Sequence, residues 1–138
     1  VMAVDVAGFG GTNWARIEAA RRVYDTGLFI PFLDWGIPTL ECLLTMRESF
    51  PDQHIIASGG VRHGLDAMRA FWLGANTISL AGPLLAQLLR HKKTPSPDKL
   101  SNLVGQLKRQ MALTLFLTGA PDLDAFRHKE ALIDNKLI

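Results

Sequence analysis

Three glycine-bearing segments carry the residue types that could hold an anion. Ala7-Gly8-Phe9-Gly10-Gly11-Thr12-Asn13-Trp14 places three glycines within four residues beside a hydroxyl. Ala57-Ser58-Gly59-Gly60-Val61-Arg62-His63-Gly64 and Leu80-Ala81-Gly82-Pro83 are the other two. Glycine lets the chain turn sharply and brings backbone N–H groups close to a ligand. Arg62 adds a permanent charge on a planar donor fork that suits a phosphate. The first segment lacks the lysine of a P-loop and the full spacing of a dinucleotide fingerprint, and by itself reads equally well as a flexible turn. Each of the others alone reads as turn chemistry, and Arg62 alone as a surface ion pair. Taken together, the Gly59–Arg62 and Ala81–Gly82 segments favour phosphate, with helix N-termini following both loops to add partial positive charge.

The remaining polar residues offer less. Asp5 reads as a buried carboxylate, more readily a structural hydrogen-bonding group than a catalytic one. His54 starts a strand on the edge away from the ligand side, and His63 is a loop histidine beside the phosphate segment. Trp35 and Trp72 read as packing, while Trp14 stays open between packing and ligand. No pair of carboxylates has the spacing of acid/base partners, no Ser or Cys has a nucleophile's context, and no Cys/His spacing suits a metal. No catalytic or metal-ligating residue is assigned.

These segments need a scaffold. Met2 to Ala7, His54 to Ala57 and Thr77 to Leu80 are short apolar runs ending in or near glycine, as buried parallel strands do. Leu40, Leu43, Leu44 and Arg47 after Pro38, and Leu65, Met68, Phe71 and Trp72 before a capping Gly74, have helical spacing. Pro83 opens a helix through about Arg90, and 91–97 is a polar loop ending in the Ser96-Pro97 cap pair. A covering helix then carries Leu100, Leu103, Val104, Leu107, Met111 and Leu115 to Gly119, with Lys108, Arg109 and Gln110 toward water. Alternating strands and helices imply an α/β fold with a parallel sheet and the Gly59–Arg62 and Ala81–Gly82 loops side by side at its carboxyl edge. Three parallel strands with bare edges make a poor unit alone. They suit the closing part of a β/α barrel, which needs eight strands and typically about 250 residues, or else a small open sheet. The chain opens on Val1, already inside a strand-like run, so the front of a longer protein is expected to be missing.

Composition narrows the class. The chain has 138 residues, 48% of them hydrophobic and 20% charged, which is enough for a packed core. A formal net charge of +2, without a basic stripe, argues against a nucleic-acid partner. The single cysteine cannot form an internal disulfide, and no apolar run approaches a membrane span, so a cytoplasmic protein with no membrane partner is expected.

The succession Asp5-Val6-Ala7-Gly8-Phe9-Gly10-Gly11-Thr12-Asn13-Trp14, Phe32-Leu33-Asp34-Trp35-Gly36-Ile37-Pro38-Thr39, Ser58-Gly59-Gly60-Val61-Arg62-His63-Gly64-Leu65-Asp66, Leu73-Gly74-Ala75, Ala81-Gly82 and Phe116-Leu117-Thr118-Gly119-Ala120 resembles the C-terminal part of the type 2 isopentenyl-diphosphate isomerases, over nearly the whole chain. The Gly-Gly-Thr-Asn-Trp and Asp-Trp-Gly-Ile-Pro-Thr stretches are specific, whereas Ser-Gly-Gly-Val-Arg is common to many FMN-dependent barrels. The resemblance implies the C-terminal portion of a TIM β/α barrel, strands six to eight, spanning 1–138 as part of one FMN-binding domain. It implies FMN as cofactor, NADPH as the flavin reductant, Mg2+ on a ligand outside this chain, isopentenyl and dimethylallyl diphosphate as the substrate pair, and a homo-oligomer. Thr12 would contact FMN, Gly59, Gly60, Val61 and Arg62 would hold its phosphate, and Ala81 with Gly82 would complete the cradle. The family's diphosphate-binding residues, metal-binding Glu, flavin-contacting Lys and first five strands have no counterpart here, so the chain alone would be inactive. Competing readings are an FMN-dependent 2-hydroxy-acid oxidoreductase and a non-catalytic phosphate-binding or assembly module.

Overall fold

The computed structural model describes residues 1–22, 26–90 and 97–130. Its centre is a parallel sheet of β1 (Ala3–Ala7), β2 (His54–Ser58) and β3 (Thr77–Ile78), in the spatial order β1-β2-β3. Ala3 pairs with His54 and Ala7 with Ser58, while Ile56 pairs with Thr77. β3 is shorter than the expected 77–80. Ladder pairing stops at Ile78, although the Ser79 amide still donates to the Ala57 carbonyl at 2.8 Å.

Helices α2 (Thr39–Ser49) and α3 (Gly64–Trp72) cross between these strands. Both pack on one sheet face, because Leu43 of α2 and Ala70 of α3 share a buried cluster with Val6, Ile55 and Ala57. Successive strand residues point to opposite faces, so Asp5, Ala7, His54 and Thr77 fall on the other face and are exposed. Neighbouring strands in sequence order with crossover helices on a single side is the arrangement of a β/α barrel wall, whereas a doubly wound sheet covers both sides.

Helix ends follow their local signals. Gly74, at φ +100°, closes α3 with paired bonds from the Gly74 amide to the Phe71 carbonyl and from the Ala75 amide to the Ala70 carbonyl. Gly119 closes α5 (Pro97–Thr118) in the same manner onto Phe116 and Leu115. A second apolar cluster joins Met68 and Phe71 of α3 to Ala120 and Phe126, with Met111 and Leu115 of α5 against it. Phe126 lies on α6 (Leu123–Arg127), whose five residues are too few to show a period. α4 (Gly82–Arg90) follows β3. The expected 91–96 loop and the Ser96 cap lie outside the described residues. Helix α1 (Trp14–Arg21) and the 3-10 segment Thr26–Phe32 are additions that apolar spacing did not signal, since α1 buries no residue. No helix among the described residues is long and apolar enough to cross a membrane.

At the amino ends of the strands Arg47 joins three segments. Its guanidinium donates to the carbonyls of Pro51, Gln53 and Gly74 and to Asn76 Oδ1. Asn76 Oδ1 in turn accepts from the Ile55 amide at 2.9 Å.

Candidate functional site

Parallel pairing sends the chain out of all three strands at one edge, and there the three loops meet. A cavity of about 590 Å³ is lined by Thr12, Gly59, Gly60, Val61, Arg62, Ala81 and Gly82, together with Asp5 and Ser58 from the strands. The structure thus brings together every residue nominated from the sequence. The Val61 side chain is buried, so only its backbone is available to a ligand there.

The glycines are needed first by one another. A Cβ on Gly60 would stand 2.7 Å from the Gly10 carbonyl oxygen, and one on Gly11 would stand 2.8 Å from Gly59 Cα. Gly59 and Gly60 have φ of +78° and +86°, a region that side chains with a Cβ avoid. The two loops therefore lie backbone against backbone along the cavity they line. The amides of Gly11, Thr12, Gly60 and Val61 have no acceptor among the described residues.

The segment 36–39 clasps this pair of loops. The Phe9 amide donates to the Ile37 carbonyl at 2.7 Å, and Thr39 Oγ1 donates to the Gly59 carbonyl at 2.7 Å. Thr39 is buried, and its backbone sits where a Cβ on Gly8 would go. Sequence reasoning did not single out Thr39 as a site residue. Its only signal was membership of the Asp-Trp-Gly-Ile-Pro-Thr stretch. Asn13 does similar work on the other side: Oδ1 caps α1 at the Arg16 amide and Nδ2 donates to the Leu33 carbonyl.

The two helix N-termini differ, against the expectation that both face a ligand. At α3 the amides of Arg62, Gly64 and Asp66 are taken by Asp66 Oδ2, Gln110 Oε1 and His63 Nδ1. His63 is thus the N-cap of α3, and Gln110 is turned inward instead of toward water because the buried Gly64 amide needs an acceptor. At α4 the first bond runs from the Leu85 amide to the Ala81 carbonyl, Pro83 has no N–H, and the Gly82 and Leu84 amides are free among the described residues. The helix-terminal donors open to an anion are those of α4.

Arg62 is exposed, and its guanidinium has no acceptor among the described residues. The ion-pair reading of Arg62 therefore finds no partner here. Asp5 is exposed and not buried, because no described element covers its face of the sheet. It accepts from Ser58 Oγ at 2.6 Å. His54 stands at the opposite end of β2, its Nε2 2.9 Å from Thr77 Oγ1. Trp35 is 73% exposed and stacks on Phe32 instead of entering the core, whereas Trp72 packs on the second cluster and donates to the Lys129 carbonyl.

Residues 32–133 match the family model described as FMN-dependent dehydrogenase. The chain is 41% identical over 128 residues to a protein of Xanthobacter autotrophicus named isopentenyl-diphosphate delta-isomerase, covering 92% of this chain and 36% of that protein. Proteins of the same name from Metallosphaera sedula and Nostoc sp. are 36% and 40% identical, over 97% and 96% of this chain and 36% and 37% of theirs. The chain spans little more than a third of the length of these curated relatives.

Proposed function

The chain belongs to the family of FMN-dependent dehydrogenases, and from that premise we propose that it is the C-terminal portion, strands six to eight, of an FMN-binding β/α barrel. The parent protein is an isomerase that interconverts isopentenyl and dimethylallyl diphosphates. The observation that carries the FMN reading is the convergence in one cavity of the Arg62 guanidinium with amides from all three strand-end loops, none of which has an acceptor among the described residues. A phosphate monoester is matched by that set: a planar charged fork, several N–H donors and the open N-terminus of α4. Thr12, Gly59, Gly60, Val61, Arg62, Ala81 and Gly82 hold FMN in this reading.

Reduced FMN, once bound, supplies an acid–base group for moving a double bond without net redox change. This chain's residues bind and orient it. The Gly59–Arg62 loop fixes the phosphate end, Thr39 fixes that loop, and Gly82 and Leu84 donate from α4. None of these residues is a proton carrier, and the reading asks none of them to be one. Mg2+, NADPH as reductant, the remaining barrel strands and assembly into a homo-oligomer belong to the same proposal, with the metal ligand outside this chain. The family's description as dehydrogenases favours one second reading, an oxidoreductase of 2-hydroxy acids.

The test uses the full-length protein. Reduced with NADPH and supplied with Mg2+, it is expected to convert isopentenyl diphosphate to dimethylallyl diphosphate, and absence of turnover sinks the isomerase reading. Flavin bleaching by a 2-hydroxy acid would favour the oxidoreductase instead. Arg62→Ala is expected to weaken FMN binding by about 1.5–3 kcal/mol, the contribution of a charge-assisted hydrogen bond. Unchanged affinity removes Arg62 from the site.

A further inference from the structure

The backbone amides between Gly60 and Asp66 fall into two sets. Those of Gly60 and Val61 have no acceptor among the described residues, whereas those of Arg62, Gly64 and Asp66 are taken by Asp66 Oδ2, Gln110 Oε1 and His63 Nδ1. The bond from Arg62 is the unusual one. In a capping box the side chain of the third helical residue reaches back to the amide of the N-cap residue. Here the N-cap is His63, yet Asp66 reaches one residue further, to the Arg62 amide at 3.1 Å, and so bonds the loop that precedes the helix. Asp66 does not line the strand-end cavity. It lines a second cavity, of about 300 Å³, together with Thr39, His63 and Arg69. Gly59–Arg62 line both, so the loop is the wall that the two cavities share.

We infer that Asp66 is a positioning residue for phosphate binding, acting on the loop from outside the cavity that takes the ligand. Its carboxylate holds the exit of the loop at the Arg62 amide, as Thr39 holds the entry at the Gly59 carbonyl. The Gly60 and Val61 amides are left between the two anchors for an anion. The inference rests on the reading of the strand-end cavity as an FMN site. Two consecutive glycines at positive φ give up more conformational freedom on ordering than other residues would. Anchors at both ends order them before the ligand arrives, which lowers what binding must otherwise meet. The carboxylate is itself held: Arg69 Nη1 stands 3.7 Å from Oδ1, and His63 Nδ1 3.3 Å from Oδ2. Its charge works the other way, since a carboxylate on one side of the loop repels a phosphate on the other. Positioning and bare charge therefore predict opposite signs when the side chain is removed.

The experiment titrates riboflavin and FMN into the full-length protein by fluorescence, well below its melting temperature, and reads the preference for FMN. Asp66→Ala is expected to lower that preference about fivefold to tenfold, as the loss of one hydrogen bond implies, although it removes a negative charge. Asp66→Asn keeps an acceptor and should hold the preference within about twofold of the wild type. Asp66→Ser, whose side chain is too short to reach the Arg62 amide, should behave as the alanine variant does and takes its place if that variant does not fold. A preference that stays the same or rises in the alanine or serine variant overturns the role of Asp66 while the phosphate site stands. Equal weakening of both flavins does so too, as does a loss in Asp66→Asn as large as in Asp66→Ala. If the wild type binds FMN no better than riboflavin, the failure lies with the FMN reading itself, and the role of Asp66 falls with it.

Discussion

Thr39 Oγ1 donates to the Gly59 carbonyl at 2.7 Å, across twenty positions of sequence. The bond joins the first residue of α2 to the loop that leaves β2, and Thr39 is the one polar residue buried among the described residues. Its neighbours explain the geometry. Gly8 leaves room for the Thr39 backbone, and Gly59 adopts a positive φ that aims its carbonyl at the hydroxyl.

Replacing Thr39 by Val keeps the shape and removes the donor. FMN affinity of the full-length protein is expected to fall about fivefold to tenfold, as loss of a hydrogen bond contributing about 1–1.5 kcal/mol implies. Riboflavin affinity should stay within twofold, since the loop is proposed to hold the phosphate, and Thr39→Ser should restore FMN binding. Titration of both flavins against the three proteins checks this.

Gly60→Ala meets a left-handed backbone and a carbonyl oxygen 2.7 Å from the new methyl. The variant should lose about 1–3 kcal/mol of stability and carry less flavin after purification. Gly105→Ala gives the opposite sign. Gly105 is inside α5, and its added Cβ would meet only Arg109 Nη1, at 3.6 Å. There alanine should stabilise by about 0.5–1 kcal/mol. Denaturant midpoints of the two variants provide the comparison.

Gln110→Leu removes the acceptor that α5 offers to the Gly64 amide at 2.7 Å. A buried unpaired donor costs about 1–3 kcal/mol, so the melting temperature should drop, and Gln110→Glu should recover most of it by restoring an acceptor.

Arg47→Met keeps the aliphatic stem and deletes four donor contacts that join α2 to the turns before β2 and β3. Equilibrium unfolding should report a loss of about 2–3 kcal/mol. FMN affinity measured well below the melting temperature should change little, because Arg47 lies at the amino ends of the strands and the cavity at their carboxyl ends.

Much of the fold was legible because it is carried by local periodicity. Val4 and Val6 alternate with Asp5 as a strand requires, and Ala67, Met68, Ala70 and Phe71 bury one stripe of α3 before Gly74 ends it. Helix α1 was not legible, since Trp14–Arg21 has no apolar stripe and is held by Asn13 at its start and ion pairs of Glu18 with Arg21 and Arg22. Trp35 was misread because hydrophobicity alone does not say whether a ring meets the core.

The sequence by itself determined the strand–helix alternation, the glycines that end the helices and the glycine-bearing segments that follow the strands, because each rests on residues a few positions apart. Tertiary structure alone decided which donors are free. Gln110, His63 and Asp66 occupy the start of α3, while no described residue occupies the start of α4 or Arg62. A hydrogen-bonding group is satisfied by whatever lies within about 3 Å, and that neighbour can stand forty-six positions away, as Gln110 does from Gly64.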